Sequence, residues 1–396
     1  MAQVRQTNLS WLFCGQHHVI KQSFIYLILI IMNRTLYLFK PTQLRRKNNT
    51  LELLPYSDKR INEELEPYEK DLFREYLQLP PEADLKKDKP KRVPVERILD
   101  IHALAPVRIN SALLQFLSHK QTPIHHYGFK GDYQGSFLPV NETPNGKLLK
   151  KQVSLLQSDD KRRGVCRALI TGAMRNMLKV IRAYKYRNAE KSSQKISAEI
   201  SRMQGIINKM DHIGSLAALR SKEAWFRKIF YRCFDCLVPG RFRLEGRSYN
   251  PPGNPANAMI SFLNSLLYGV ILGEIYRTPL YPDIGVLHEP GSSQFPLVYD
   301  LAEIFRPILS ERLSIRLIRN GHINTNHFKK TENGTYLNKD GRLVLARAFE
   351  KHLRKTVQVP NRAKPVSYRY AIRREAQKLT NLLTRDTQYK AYTISG

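Results

Sequence analysis

Gly285-Val286-Leu287-His288-Glu289 sets a histidine at the end of a short apolar run. Beyond it, Tyr299-Asp300-Leu301-Ala302-Glu303-Ile304-Phe305-Arg306-Pro307 sets two carboxylates three residues apart. That spacing places Asp300 and Glu303 on one face of a helix. One imidazole with two acid groups is a ligand set for a hard or borderline divalent cation, Mg²⁺ or Mn²⁺, with positions open to a substrate. Glu223, on an earlier helix-patterned segment, supplies a further carboxylate. Each residue also has an ordinary reading. His288 could be a satisfied core histidine, Asp300 and Glu303 a solvated helix face, and Glu223 the i,i+4 partner of Arg227. Charge weighs toward chemistry: 65 Lys+Arg against 34 Asp+Glu give a formal net charge of +31. A cation site in so basic a chain suggests work on a polyanion, most simply a phosphodiester. Nucleic acid is the first partner implied and an anionic membrane surface the second.

The elements that must position these groups change character along the chain. From Met32 to about Asn145, short β-rich runs alternate with turn signals. Thr35 to Phe39, Leu51 to Leu54, Val93 to Leu99 and Pro123 to Tyr127 are the predicted strands. Asn110 or Ser111 caps one helix, Ala112 to His119. Residues 61–91 interrupt this pattern with a dense run of acids and a basic end, which predicts a surface insertion. From Ser158 the period becomes helical. Asp159 and Asp160 sit where a helix N-terminus favours acids, and Val165, Leu169, Ala173, Met177 and Ile181 form an inward stripe. Arg162, Arg163, Arg167, Arg175, Lys179 and Arg182 occupy the rest of that helix surface, where they could track a phosphate backbone.

Further helices are expected over Ser221 to Leu237, from Pro255 with Asn254 as its cap, from Pro296 with a kink after Arg306 at Pro307, over Asp340 to Arg354, and over Tyr370 to Leu383. Glu332-Asn333-Gly334 reads as a hairpin turn. The fold class is therefore α+β in two domains: a small β-rich domain over 32–148, a linker over 149–158 and an all-α domain over 159–396.

Length and composition set the bounds. A chain of 396 residues with 42% hydrophobic and 25% charged residues is globular, which excludes a disordered protein. Its 4 cysteines are too scattered for a disulfide framework, and Cys233 with Cys236 lacks a second pair for zinc, so packed thiols in a reducing cytoplasm are expected. Residues 1–31 differ from the rest, and Met32 reads as the natural start after an upstream extension. The uncharged run from Pro255 to Gly273 is long enough for a membrane span. Its Asn257, Ser261, Asn264 and Ser265 favour a buried core helix instead, and no membrane partner is expected.

The order of several motifs carries a resemblance. Arg247-Ser-Tyr-Asn-Pro-Pro-Gly-Asn-Pro-Ala-Asn-Ala-Met-Ile-Ser-Phe262, Ser265-Leu-Leu-Tyr-Gly269, Ile284-Gly-Val-Leu-His-Glu-Pro290 and Tyr299 to Pro307 together closely resemble the Cas-one family, the integrases of CRISPR spacer acquisition. Arg108 to Pro139 is similar to that family's N-terminal β domain, and Ser367-Tyr-Arg-Tyr-Ala-Ile-Arg-Arg374 to the tail of its type I-B branch. The resemblance implies a metal-dependent endonuclease and integrase in which the 3′-hydroxyl of a short DNA fragment attacks a phosphodiester of the CRISPR repeat. It implies double-stranded DNA (prespacer and repeat), a homodimer and a Cas-two dimer as partners, in a prokaryotic cytoplasm. Carried onto this sequence, the metal-binding glutamate is Glu223, the histidine His288 and the metal-binding aspartate Asp300, with Glu303 a further acidic position. Arg227, Arg247, Tyr268 and Arg306 are the residues expected to meet DNA. Lys222 and Ala224 depart from the apolar residue and glycine that often flank the first glutamate. A casposase-type transposon integrase and a non-catalytic DNA-binding scaffold of the same fold are the competing readings.

Overall fold

The computed structural model describes residues 30–32, 35–56, 90–140, 145–185, 190–291, 294–359 and 363–394. The expected extension over 1–31 and the acidic insertion over 61–91 lie almost wholly outside these residues.

The N-terminal region is built from β1 (Ile30–Met32), β2 (Thr35–Leu38), β3 (Thr42–Lys47), β4 (Thr50–Pro55), β5 (Lys91–Pro94), β6 (Asp100–Ala103), β7 (Val107–Arg108), helix α1 (Ser111–His119), β8 (Ile124–Tyr127) and β9 (Tyr133–Phe137). One sheet has five strands in the order β1-β2-β6-β8-β9, and a second has four in the order β5-β4-β3-β7. In the first sheet β2, β6 and β8 run parallel to one another. Asn110 caps α1, accepting a hydrogen bond from Leu113 N at 2.9 Å. The long strand expected over Val93 to Leu99 is divided. It leaves the ladder at Pro94, which has no N–H to donate, and a single tight turn follows at Val95–Arg97.

Helices dominate the remainder: α2 (Gly146–Gln157), α3 (Asp159–Lys185), α4 (Glu190–Asn208), α5 (Leu216–Leu237), α6 (Pro255–Tyr276), α7 (Pro296–Arg306), α8 (Arg312–Arg319), α9 (Lys339–Leu353) and α10 (Tyr368–Arg385). Two small antiparallel pairs, β10 (Phe328–Thr331) with β11 (Gly334–Leu337) and β12 (Thr356–Val357) with β13 (Val366–Ser367), make this region mostly rather than entirely helical. The linker expected over 149–158 is itself helical. Asn145 accepts from Leu148 N to cap it, and its buried face carries Leu148, Gln152 and Leu155.

Alternation along the strands divides the interior in two. Leu36, Leu38, Ile101, Ala103 and Ile124 pack with Leu44, Leu51, Leu53 and the apolar side of α1 in a small core between the sheets. The opposite face sends Tyr37, Phe39 and Tyr127 into the large helical core. That face also carries polar groups. Arg369 on α10 reaches Asp100 Oδ2 at 2.7 Å and Thr35 Oγ1 at 2.8 Å, and the Tyr37 hydroxyl donates to Glu350 on α9 at 3.0 Å. These contacts tie the last helices of the chain to its first strands. Helix α6 passes through the middle of this core, with 83% of its most apolar window buried. Its apolarity therefore serves packing, as the scattered Asn and Ser residues imply.

Helix α6 approaches the sheet through glycine. A Cβ on Gly269 would lie 2.3 Å from the Tyr127 hydroxyl and 3.2 Å from the His102 ring. Both neighbours are buried and hydrogen-bonded to each other, so neither has room to yield. Gly269→Ala is expected to destabilise the fold by about 1–3 kcal/mol, the usual penalty of overpacking. Thermal denaturation checks this, and an unchanged midpoint would contradict the packing described here.

Candidate active site

Asp300 lies on α7 with no solvent exposure. Its Oδ2 accepts the backbone N–H groups of Val286 and, at 3.1 Å, Leu287; its Oδ1 accepts those of His288 N at 2.9 Å and His288 Nδ1 at 2.8 Å. Four donors fill the acceptor capacity of a carboxylate. The short apolar run before His288 is a loop that has no sheet partner among the described residues and closes its hydrogen bonds on this side chain. The carbonyls of the same loop are also engaged. Arg162 Nε donates to Val286 O at 2.9 Å, Arg220 donates to Leu287 O, and Gln152 exchanges bonds with Tyr281, 2.9 Å to its N and 3.1 Å to its O. Gly285 permits the tight path, since a Cβ there would meet His288 O at 2.6 Å. The backbone polar groups around His288 are thus nearly all accounted for, which fixes the ring.

His288 opens into a recess of about 290 Å³ lined by Ile170, Arg220, Glu223, Leu287, His288, Glu289 and Glu303. Asp300 does not line it. Glu223 comes from α5 and Glu303 from α7, and one guanidinium joins them: Arg227 Nε donates to Glu223 Oε1 at 2.6 Å, and its Nη2 to Glu303 Oε2. Arg306 holds the other Glu303 oxygen at 3.0 Å. Behind Arg227 lies Glu311, fully buried on a wide π-type turn, Pro307–Glu311, that Pro307 introduces where the kink was expected. Glu311 Oε1 is 3.9 Å from Arg227 Nη1, beyond hydrogen-bonding range.

The electrostatics follow from this arrangement. Burial would raise the Glu303 carboxyl, but Arg227 and Arg306 outweigh it and hold the group below its ordinary range. Burial pushes Glu311 upward, against the two arginines. His288 moves up: burial opposes its charged form, yet the hydrogen bond to Asp300 and that carboxylate's charge prevail.

The sequence-predicted residues therefore divide. Glu223, His288 and Glu303 face one recess. Asp300 stands behind His288 with its oxygens occupied. Arg227, expected to meet DNA, turns inward against Glu223, Glu303 and Glu311, and is 8% exposed. Arg306 is likewise committed to Glu303, with Tyr268 at 3.5 Å. Arg247 donates to Asn257 Oδ1 at 2.7 Å and Ser261 Oγ at 3.1 Å, and stacks on the exposed Tyr249. Tyr268 packs edge-on to Tyr299, which in turn lies against His288. Glu289 on the rim pairs with Arg162 and Arg220. Its place next to His288 was the one sequence signal for it, whereas nothing in the sequence pointed to Glu311. The basic face of α3 is partly structural, because Arg167 and Lys179 donate to the carbonyls of Ile213 and Ile394. Arg175 is exposed, and with Lys151, Lys161, Arg385 and Lys390 it borders a separate groove of about 1390 Å³.

A β-rich region joined to a mostly helical region is an architecture shared with solved proteins. A casposase bound to an integration product matches it with a TM-score of 0.71 over 92% of this chain and 96% of its own, at 17% identity, a likeness of fold. The family is closer at hand. The family model of CRISPR associated protein Cas1 matches residues 82–351, and the chain belongs to that family. It is 35% identical over 300 residues to a CRISPR-associated endonuclease Cas1 of Methanocaldococcus jannaschii, covering 76% of this chain and 89% of that one. A solved Cas1 protein from Thermotoga maritima matches with a TM-score of 0.72 and 30% identity, over 91% of this chain and all (100%) of its own.

Asp300 on α7 and Glu223 on α5 should differ sharply on substitution. Asp300→Ala leaves three backbone N–H groups, two of them buried, and the His288 ring without an acceptor, and is expected to cost about 3–5 kcal/mol. Glu223→Ala should stay within about 1 kcal/mol, since Arg227 keeps two other carboxylates. Denaturant titration of the two variants decides it; equal stabilities would contradict the anchoring role of Asp300.

Proposed function

We propose that this chain is a divalent-metal-dependent DNA endonuclease and integrase that inserts short DNA fragments into a CRISPR array by 3′-hydroxyl attack on phosphodiesters. Its membership of the Cas1 family supports the reaction class. The observation that carries the residue assignment is the recess shared by Glu223, His288 and Glu303 in a chain of net charge +31. Two glutamates drawn from different helices onto one guanidinium, beside a fixed imidazole, fit a Mg²⁺ or Mn²⁺ ion in donor chemistry. In this reading Glu223, His288 and Glu303 would hold the ion, and Asp300, expected from the sequence as a ligand, takes the role of orienting His288. A carboxylate on Nδ1 directs the Nε2 lone pair outward, as ligating histidines require.

An ion held by Glu223, His288 and Glu303 would supply Lewis-acid polarisation of the scissile phosphate and ease ionisation of the attacking hydroxyl. The chain's own residues do the rest. Arg227 balances the charge of Glu223 and Glu303, and Glu311 behind it offers a third carboxylate toward which it can turn when a cation enters. Arg162 and Arg220 fix Glu289 at the rim. The surface lysines and arginines bind DNA phosphates and hold the strand near the recess. The β region is the proposed surface for pairing two copies around a Cas2 dimer. The division into a β domain over 32–148 and a helical domain from 159, and residence in a prokaryotic cytoplasm, belong to the same reading.

His288→Ala is expected to lower Mn²⁺-dependent strand transfer by at least about 100-fold, the upper range for disturbing a metal's ligand sphere, while duplex affinity changes little. A variant with intact strand transfer in the presence of chelator would overturn the assignment. The proton on His288 competes with the ion and its pKa is raised, so apparent metal affinity should increase as pH rises through that titration.

Duplex binding should fall steeply with salt, with a log–log slope of about −4 or steeper, since each neutralised phosphate contributes about −0.9. A slope near zero in a filter-binding or anisotropy titration would contradict phosphate-led binding.

A further inference from the structure

Asp100, His102 and His125 lie on β6 and β8, two adjacent parallel strands, on the sheet face covered by α6. None has any solvent exposure. His102 and His125 are register partners with ring centroids 4.9 Å apart, and Asp100 precedes His102 by one alternation of the strand. One ligand atom from each of the three lies within 4.8 Å of the others. We propose that these residues form a second metal site, separate from the recess around His288, for a borderline divalent ion of the Zn²⁺ class.

Three observations carry the assignment. First, Asp100 Oδ1, His102 Nε2 and His125 Nε2 are buried with no hydrogen-bond partner among the described residues, His102 Nε2 lying 3.5 Å from Asp100 Oδ2, the oxygen that Arg369 holds. An isolated orphan is uncommon in a folded interior, and three on residues whose ligand atoms lie within 4.8 Å of one another call for a shared partner. Second, the far nitrogens are engaged: His102 Nδ1 with the Tyr127 hydroxyl at 2.7 Å and His125 Nδ1 with Ser136 Oγ at 2.6 Å. Hydrogen-bonded Nδ1 atoms fix both rings with Nε2 toward the cluster, the outer-sphere arrangement of ligating histidines. Third, α6 meets the cluster with Gly273, where even a Cβ would stand 3.5 Å from His125 Nε2 and 3.7 Å from Asp100 Oδ2. The helix places no side chain of its own at that position, and the nearest group to such a Cβ is Arg277 Nη1 at 3.4 Å.

Charge selects the kind of ion. Arg277, Arg369 and Arg373 border the cluster, answered by Asp100, Glu274 and Glu350. Apart from Asp100 itself, three arginines face two glutamates, so the surroundings cannot hold a hard ion such as Mg²⁺ by field alone. Two imidazole nitrogens with one carboxylate suit Zn²⁺, or Co²⁺ in its place, with a water as fourth ligand. Such an ion would cross-link β6 to β8 beneath α6 and stiffen the junction of sheet and helices.

The test uses the full chain carrying His288→Ala, so that ions at the recess are suppressed. After Zn²⁺ loading and dialysis, one Zn²⁺ per chain should remain by elemental mass spectrometry, and it should be lost when His125→Gln is added. Zn²⁺ should raise the melting temperature of the first protein and leave the second unchanged. If His125→Gln does not fold, Co²⁺ added to the His288→Ala chain should give intense four-coordinate d–d bands without thiolate charge transfer. No retained ion and no such bands would overturn the site in favour of a buried water among the three groups. Retention unaffected by His125→Gln would overturn it in favour of binding elsewhere. Neither outcome bears on the active-site reading, which stands on different residues.

Discussion

The Asp300 carboxylate is the constraint on which the site rests. A loop with no ladder partner must find acceptors for its N–H groups, and here one buried side chain supplies them for three consecutive residues, Val286 to His288, and for the imidazole as well. The loop therefore has the rigidity of an element without being one. Gln152, Arg162 and Arg220 complete it from α2, α3 and α5 by taking its carbonyls or their neighbours. Four separate helices thus converge on a few residues, and the histidine they present has little freedom.

Around that fixed point the charges are arranged in opposition. Glu223 and Glu303 would repel across a shared recess, and Arg227 lies between them with Glu311 behind. An internal arginine held by two carboxylates, with a third 3.9 Å away, leaves the recess balanced without an ion and able to accept one. The π-type turn at Pro307 matters here, because it brings Glu311 inward at the end of α7 while the helix path continues into α8.

Much of this was legible in the sequence, for physical reasons that differ from element to element. The 3.6-residue stripe of α3, the Asn254–Pro255 start of α6 and the Pro307 break are local signals, and all three stand where they were expected. Strand β3 was not marked, since Thr42 to Lys47 reads as polar and its pairing with β4 is a tertiary fact. The helicity of α2 was hidden because Lys147, Lys150 and Lys151 resemble a tether, while the contacts that make the helix worthwhile come from distant residues. At the site, spacing placed Asp300 and Glu303 on one helix correctly but could not say which faced the recess. That depended on the loop's unpaired N–H groups, which no side-chain pattern records. The polar pair His102 and His125 was equally silent, because alternation alone assigns those positions to a face and not to a purpose.

The central claim is that Glu303, and not Asp300, completes the cation site with Glu223 and His288. Anomalous diffraction from crystals soaked in Mn²⁺ tests it most directly. The account predicts a single strong peak at about 2.0–2.3 Å from Glu223, His288 Nε2 and Glu303, a distance usual for such an ion, with Asp300 still bonded to the N–H groups of residues 286–288. A peak coordinated by an Asp300 oxygen, with those backbone bonds broken, would contradict it.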